Sequence, residues 1–361
     1  MLGAYYYTIY LVVITIMTLY QSNRYITTPY RLLDNRTRSR VLPSVLLMLI
    51  CAIFIGLRPD WVGFADSRNY IRMIEYFSGE KFVFDIDTDN ILFDNLLYWV
   101  ACNSLGWTIF FIIISFIYFG GIFVACRKMF PRDTLFAYLI YLAAFSTFSY
   151  ATNGIKAGVA ASLFLVAIAY RDKRWLSITL MAMSYGFHHS MQLLIVAYVI
   201  VSFVKNTKYY LWIWGFSLVM AILHITTFQE FFSGLTDEQG ATYLLANESQ
   251  ESAYLTGFRL DFILYSAAPI VVGYYLVFKR GLKTEKFNLI YNLYVLANSI
   301  WLLCMYASYT NRIAYLSWQL LPIVLIYPFL NDRLYPQQYK YANYIALAHL
   351  AFTLFMTFIY Y

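Results

Sequence analysis

Between Tyr150 and Ser190 the chain sets down two apolar runs of roughly membrane-spanning length, joined by the tight basic turn Arg171-Asp172-Lys173-Arg174. Polar groups able to do chemistry stand at the far ends of both runs. Asn153 and Lys156 open the first, and His188, His189 and Ser190 close the second. If the basic turn is cytoplasmic, this hairpin carries Asn153, Lys156, His188 and His189 to the outward face, near one another. The pattern recurs along the chain. Apolar segments near 3–20, 41–57, 107–126, 134–151, 154–170, 174–187, 189–204, 209–227, 260–278, 287–309, 313–330 and 341–360 predict about twelve transmembrane helices. The expected fold is therefore an all-α polytopic membrane protein, with residues 1–361 as a single integral-membrane domain. Nothing reads as a soluble linker, a low-complexity tract or a repeat. The first run lacks a charged flank and a small-residue cleavage signal, so it reads as a retained helix.

Composition supports that reading. The chain is 61% hydrophobic and 12% charged, against about half apolar and about a quarter charged in soluble domains. Its net charge of +7 invites a nucleic-acid partner, but the distribution argues against one. The turns within 24–40, 127–132, 171–174, 205–208, 279–286 and 333–340 hold nineteen of the 26 basic residues. Short basic turns between apolar runs are the positive-inside signature, which assigns those turns to the cytoplasm and both termini to the outside. Cys51, Cys102, Cys126 and Cys304 are scattered without metal-ligand spacing, so neither a disulfide framework nor a zinc site is expected.

Two outward loops are long, about 58–106 and 228–259, and both are rich in acids and aromatics. Within the first, Ile91–Cys102 reads as an amphipathic or re-entrant segment rather than a span. Such loops over a membrane core often act as lids or binding elements.

The seven outward basic residues run against the charge bias, so each asks for a reason. Arg58 ends the second helix, Lys156 lies just inside the start of the fifth, and Arg312 begins the eleventh. At headgroup level a cation meets phosphate, bidentately for Arg and as a point charge for Lys. Ordinary snorkelling to lipid is the plain alternative. Asp66, in Gly63-Phe64-Ala65-Asp66, can serve as a general base or orient a cation; a loop Asp is also a common turn residue. Adjacent histidines on a helix point about 100° apart, so His188 and His189 are poor joint metal ligands. Either can take a proton from a sugar hydroxyl or donate to a phosphate. Asn153-Gly154 breaks one helix from the next and leaves amide N–H groups at an outward helix start, favourable to anions.

Three patches carry a resemblance: Gly56-Leu57-Arg58 through Gly63, Asp66 and Tyr70; Asn153-Gly154-Ile155-Lys156 leading to Phe187-His188-His189-Ser190; and Asn311-Arg312-Ile313 with Tyr315. In order and spacing they resemble the EpsG family of bacterial polysaccharide polymerases, relatives of the Wzy O-antigen polymerases. Lys156 stands where that family usually has Arg, and Ala157 where it has Gln. Lys keeps the charge but loses the bidentate fork.

The resemblance implies a fold related to membrane glycosyltransferases that use polyprenyl-linked donors (GT-C-like), in the bacterial cytoplasmic membrane with an extracytoplasmic active site. It implies a glycosyltransferase that moves a glycan from polyprenyl pyrophosphate to the terminal sugar of a second lipid-linked repeat. No cofactor, nucleotide sugar or metal is expected. The implied partners are the lipid-linked donor and acceptor, membrane lipid, a flippase and a chain-length regulator. On that reading Arg58, Lys156 and Arg312 hold the pyrophosphate, and His188 is the base with Asp66 second. Asn153, Tyr70, Arg72, His189 and Tyr315 contact substrate. Two rivals stand beside it. A flippase of lipid-linked sugars expects ionisable groups at mid-membrane and matching broken helices in two halves. A membrane acyltransferase expects its catalytic His to reach an acyl donor, often from the cytoplasmic side.

Overall fold

The computed structural model describes residues 2–27, 41–233, 257–308 and 310–360. Among these the chain is all-helical. In order the helices are α1 (Leu2–Thr27), α2 (Leu42–Gly56), α3 (Ala65–Tyr76), α4 (Ile91–Cys102), α5 (Trp107–Met129), α6 (Thr134–Leu142), α7 (Phe145–Thr152), α8 (Ile155–Ala169) and α9 (Arg174–Phe187). There follow α10 (Met191–Phe203), α11 (Thr207–Ile222), α12 (Thr227–Ser233), α13 (Leu260–Tyr274), α14 (Glu285–Leu303), α15 (Thr310–Trp318), α16 (Leu321–Asn331) and α17 (Gln338–Phe355). Helix occurs at each of the twelve expected segments. Among the described residues five stretches are long and apolar enough to cross a membrane alone, and six if one bent pair counts as a span. The chain is thus a multi-pass membrane protein. Most of the expected second outward loop, from 234 to 256, lies outside the described residues, as do the basic positions between 28 and 40.

The chain divides into two compact units, Met1–His188 with Ile326–Tyr361, and His189–Leu325. In the first, α8 is the centre, and every residue from Gly158 to Ala169 is buried. Its Ala157-Gly158, Ala160-Ala161-Ser162, Ala167 and Ala169 keep its surface thin, which lets neighbouring helices approach closely, as small residues do in membrane bundles. α5 and α9 pack along it. In the second unit α14 packs with α10, α11 and α15.

The segment expected as one helix over 134–151 is instead two, α6 and α7, bent by 73°. A bend frees carbonyls that a buried site must satisfy. Tyr10 donates to the Leu142 carbonyl over 2.7 Å, Thr147 to that of Tyr141 over 2.7 Å and Thr353 to that of Ala143 over 2.7 Å. The kink is therefore held by side chains from α1, α7 and α17, and α7 ends where the expected Asn153-Gly154 break begins.

Candidate active site

The site begins where α2 stops. A Cβ on Gly56 would lie 2.8 Å from the Ile112 Cα, so only glycine lets the end of α2 settle against α5. Two residues on, Arg58 is 0% exposed. Its guanidinium carbon sits 3.7 Å from the centre of the Phe111 ring, a cation–π contact. Nε donates to Ser67 Oγ over 3.0 Å and Nη1 to the Ile55 carbonyl over 2.9 Å. Nη2 is buried without a hydrogen-bond partner among the described residues. Burial pushes the guanidinium down to about 9, with the Tyr6 phenol nearby acting the other way. Arg58 is still a cation at neutral pH. Snorkelling does not describe it, because a snorkelling side chain ends in water and this one ends in protein.

Ser67 links this cation to the helix break. It lies on the inner face of α3 with Ile71 and Ile74, a period of three to four. Its hydroxyl donates to the Thr152 carbonyl, the last residue of α7. Next to it, Asn153 Nδ2 donates to the Gly63 carbonyl over 3.4 Å, and Asn153 Oδ1 is buried without a partner among the described residues. No side chain caps the start of α8. The loop before α3 and the α7–α8 break are thus joined around Arg58, and a donor and an acceptor are left unsatisfied there. Buried polar atoms without partners are uncommon and ask for an explanation.

Lys156, one residue inside α8, donates to Asp94 Oδ1 over 2.7 Å. The two side chains are 24% and 23% exposed. The ammonium lies 5.0 Å from the centre of Phe93 and 5.9 Å from that of Tyr70, and those rings meet edge-on at 5.1 Å. Asp66 and Tyr70 are four apart on α3 and share a face.

The α8–α9 hairpin fixes the level of His188. Ser177 Oγ donates to the Ala167 carbonyl over 2.9 Å, and Ser184 Oγ to the Ala160 carbonyl over 2.6 Å. The two bonds describe one antiparallel register. Carried to the end of the hairpin, that register sets position 188 level with Lys156. His188 caps α9 in extended backbone (φ −154, ψ 119), with its amide donating to the Ser184 carbonyl. Its side chain is half-buried. This corrects the expectation of two histidines on one helix. His188 and His189 lie in the break between α9 and α10, so helical geometry does not set their relative direction.

Of the expected residues in the first unit, Arg58 reaches the Asn153 break through Ser67 and Thr152, and Lys156 lies beside the Tyr70 ring. Asp66 is on the same helix as Tyr70, and His188 is level with Lys156. Arg72 points to solvent from α3. His189, Arg312 and Tyr315 belong to the second unit. There Arg312 is half-buried near the start of α15, and Tyr315 is buried one turn on. Two participants were absent from the expectation. Asp94 is one of the acids of the first long loop and the one acid inside the apolar run Ile91–Cys102. Ser67 gave no signal in sequence.

The profile described as the EpsG family matches residues 41–361. That is most of the chain, which therefore belongs to the EpsG family. No curated protein sequence and no solved structure matches it.

Proposed function

We propose that this EpsG-family membrane protein is a polymerase of exopolysaccharide repeat units, a glycosyltransferase using a polyprenyl-pyrophosphate-linked donor at the extracytoplasmic face. The observation that carries this reading is Arg58, a fully buried cation with Nη2 unpartnered, beside the unpartnered Asn153 Oδ1 and the Lys156–Asp94 pair. A charge held in protein with spare donor capacity suits an anionic group that arrives with substrate. In the reaction, the acceptor hydroxyl oxygen bonds to the anomeric carbon of the donor glycan. The bond from that carbon to the pyrophosphate oxygen breaks, and polyprenyl pyrophosphate leaves. Arg58 and Lys156 stabilise the negative charge that develops on the leaving group, in a water-poor setting where such stabilisation is strongest. His188 takes the hydroxyl proton, with Asp66 as the second candidate. Tyr70 offers a ring face to a sugar and Asn153 its amide. Arg312 carries the family's Arg-Ile pattern and is assigned a phosphate contact on that ground alone. The kinship with GT-C-like glycosyltransferases belongs to the same proposal.

The test is reconstitution of purified protein with short synthetic lipid-linked repeats, chelator present and nucleotide absent. Longer glycans are expected. Their absence, with movement of unextended lipid across liposome bilayers, overturns the polymerase in favour of a flippase. His188→Ala and Arg58→Ala are expected to abolish chain growth while leaving folded protein. Near-normal activity in either removes that residue from the site.

A further inference from the structure

At the opposite end of α8 from Lys156, a cavity of about 340 Å³ is lined by Arg127, Lys128, Pro131, Arg132 and Tyr170. Tyr170 follows Lys156 by fourteen positions, which is roughly 21 Å of helix, so this cavity is separate from the candidate active site. Three of its five lining residues are cations, and among the described residues only Lys128 has a carboxylate partner. Asp172 pairs with Lys128 at 3.1 Å. Asp133 is buried and accepts from Tyr25. Neither Arg127 nor Arg132 has a carboxylate partner among the described residues. Lys128 Nζ and Lys173 Nζ lie 5.0 Å and 6.0 Å from the centre of the Tyr170 ring, so the aromatic wall is itself flanked by ammonium groups.

A diffuse bias of basic turns needs no cavity. Here the charges border a concave space, at the ends of the apolar helices α5 and α8, where headgroups meet water. Two guanidinium forks and an ammonium around one cavity match a compact oxyanion, and the planar fork matches phosphate in particular. We propose that this cavity binds a phosphate group, the phosphodiester of an anionic lipid or the same group on a soluble phosphate.

Native mass spectrometry of the detergent-purified full chain tests it, with phosphatidylglycerol, phosphatidylcholine and inorganic pyrophosphate in separate arms. Phosphatidylglycerol is expected to bind roughly tenfold better than phosphatidylcholine, as basic clusters bind anionic lipid. The preference is expected to vanish in Arg127→Gln/Arg132→Gln. It is expected to survive in Lys208→Gln/Lys283→Gln, which removes as much charge from exposed positions elsewhere. Competition by pyrophosphate would identify a soluble phosphate as the source. Should the arginine variant not fold, wild-type protein supplies a second reading: bound phosphate is expected to shield Arg127 and Arg132 from phenylglyoxal. Equal lipid binding in wild type and the arginine variant overturns the proposal. So does unchanged phenylglyoxal reactivity with phosphatidylglycerol or pyrophosphate present.

Discussion

Lys156 donates to Asp94 across 2.7 Å, and that bond fastens the first turn of α8 to α4. The pair is about three-quarters buried on each side, so it is neither a solvated surface contact nor a sealed one. In the proposed reaction Asp94 competes with phosphate for the ammonium. Asp94→Asn is therefore expected to lower KM for the lipid pyrophosphate while costing only about 1 kcal/mol of stability. Lys156→Ala is expected to reduce kcat/KM by roughly a hundredfold, the scale of removing one electrostatic stabiliser. Lys156→Arg, with the fork restored, keeps activity. Steady-state kinetics on a synthetic donor checks all three, and an Asp94→Asn enzyme with raised KM would remove the competition from the account.

Arg58 sets stability against function. Burial pulls its folded-state value down to about 9, well below the ordinary arginine range, so folding disfavours its charged form. The cost of burying the cation is therefore fully present below about 9, and fades as pH rises from there toward the ordinary arginine range. Arg58→Met fills similar space without charge. It leaves Ser67 still donating to Thr152. The variant is expected to keep or raise the melting temperature at neutral pH, because replacing a buried charge by an apolar side chain is often stabilising. Chain growth is expected to disappear. Wild-type activity is also expected to fall as pH rises through about 9, as the anchoring charge is lost. A variant that both unfolds and fails to polymerise would make Arg58 a structural residue.

The sequence showed where helices lie because length and hydropathy are local. It showed the Asn153-Gly154 break for the same reason. The bend between α6 and α7 was hidden: Ala143-Ala144 contains no breaker, and what holds it is Tyr10 and Thr353, far away along the chain. Arg58 was legible as a candidate but not as a buried one. Its surroundings come from Phe111 on α5 and Ser67 on α3, and no local pattern announces them. Asp94 could have been found, since a lone acid in an apolar helix needs a partner. The level of His188 opposite Lys156 needed the two serine bonds of the hairpin.

His188 and His189 separate by experiment. If His188 is the base, His188→Ala is expected to lose about 10²–10⁴ of kcat/KM, the usual contribution of a positioned base. It is also expected to flatten the acidic limb of the pH profile. His189→Ala is expected to keep that limb. Ser184→Ala, which loosens the hairpin register one turn before His188, is expected to lower kcat with the limb retained. Loss of the limb in His189→Ala instead would transfer the role to that residue.

The loop that leads into α3, where Asp66 sits in the first turn rather than in the loop expected from sequence, depends on a glycine packed under an aromatic ring. A Cβ on Gly63 would come within 2.1 Å of the Trp61 ring. The ring cannot simply yield, because a Cβ on Gly3 would meet its other atoms at 2.4 Å and Phe64 packs edge-on at 5.1 Å. Gly63→Ala is thus expected to cost about 1–3 kcal/mol, as overpacking does. It is also expected to lower activity, since the Gly63 carbonyl accepts from Asn153 and the loop leads into Ser67. Trp61→Ala opens the space. The double variant Trp61→Ala/Gly63→Ala is expected to regain activity relative to Gly63→Ala alone, because the steric conflict goes while the carbonyl stays. Thermal unfolding and chain-growth assays on the two single variants and the double variant decide it. Strictly additive losses would mean that Trp61 is not what glycine accommodates at this position.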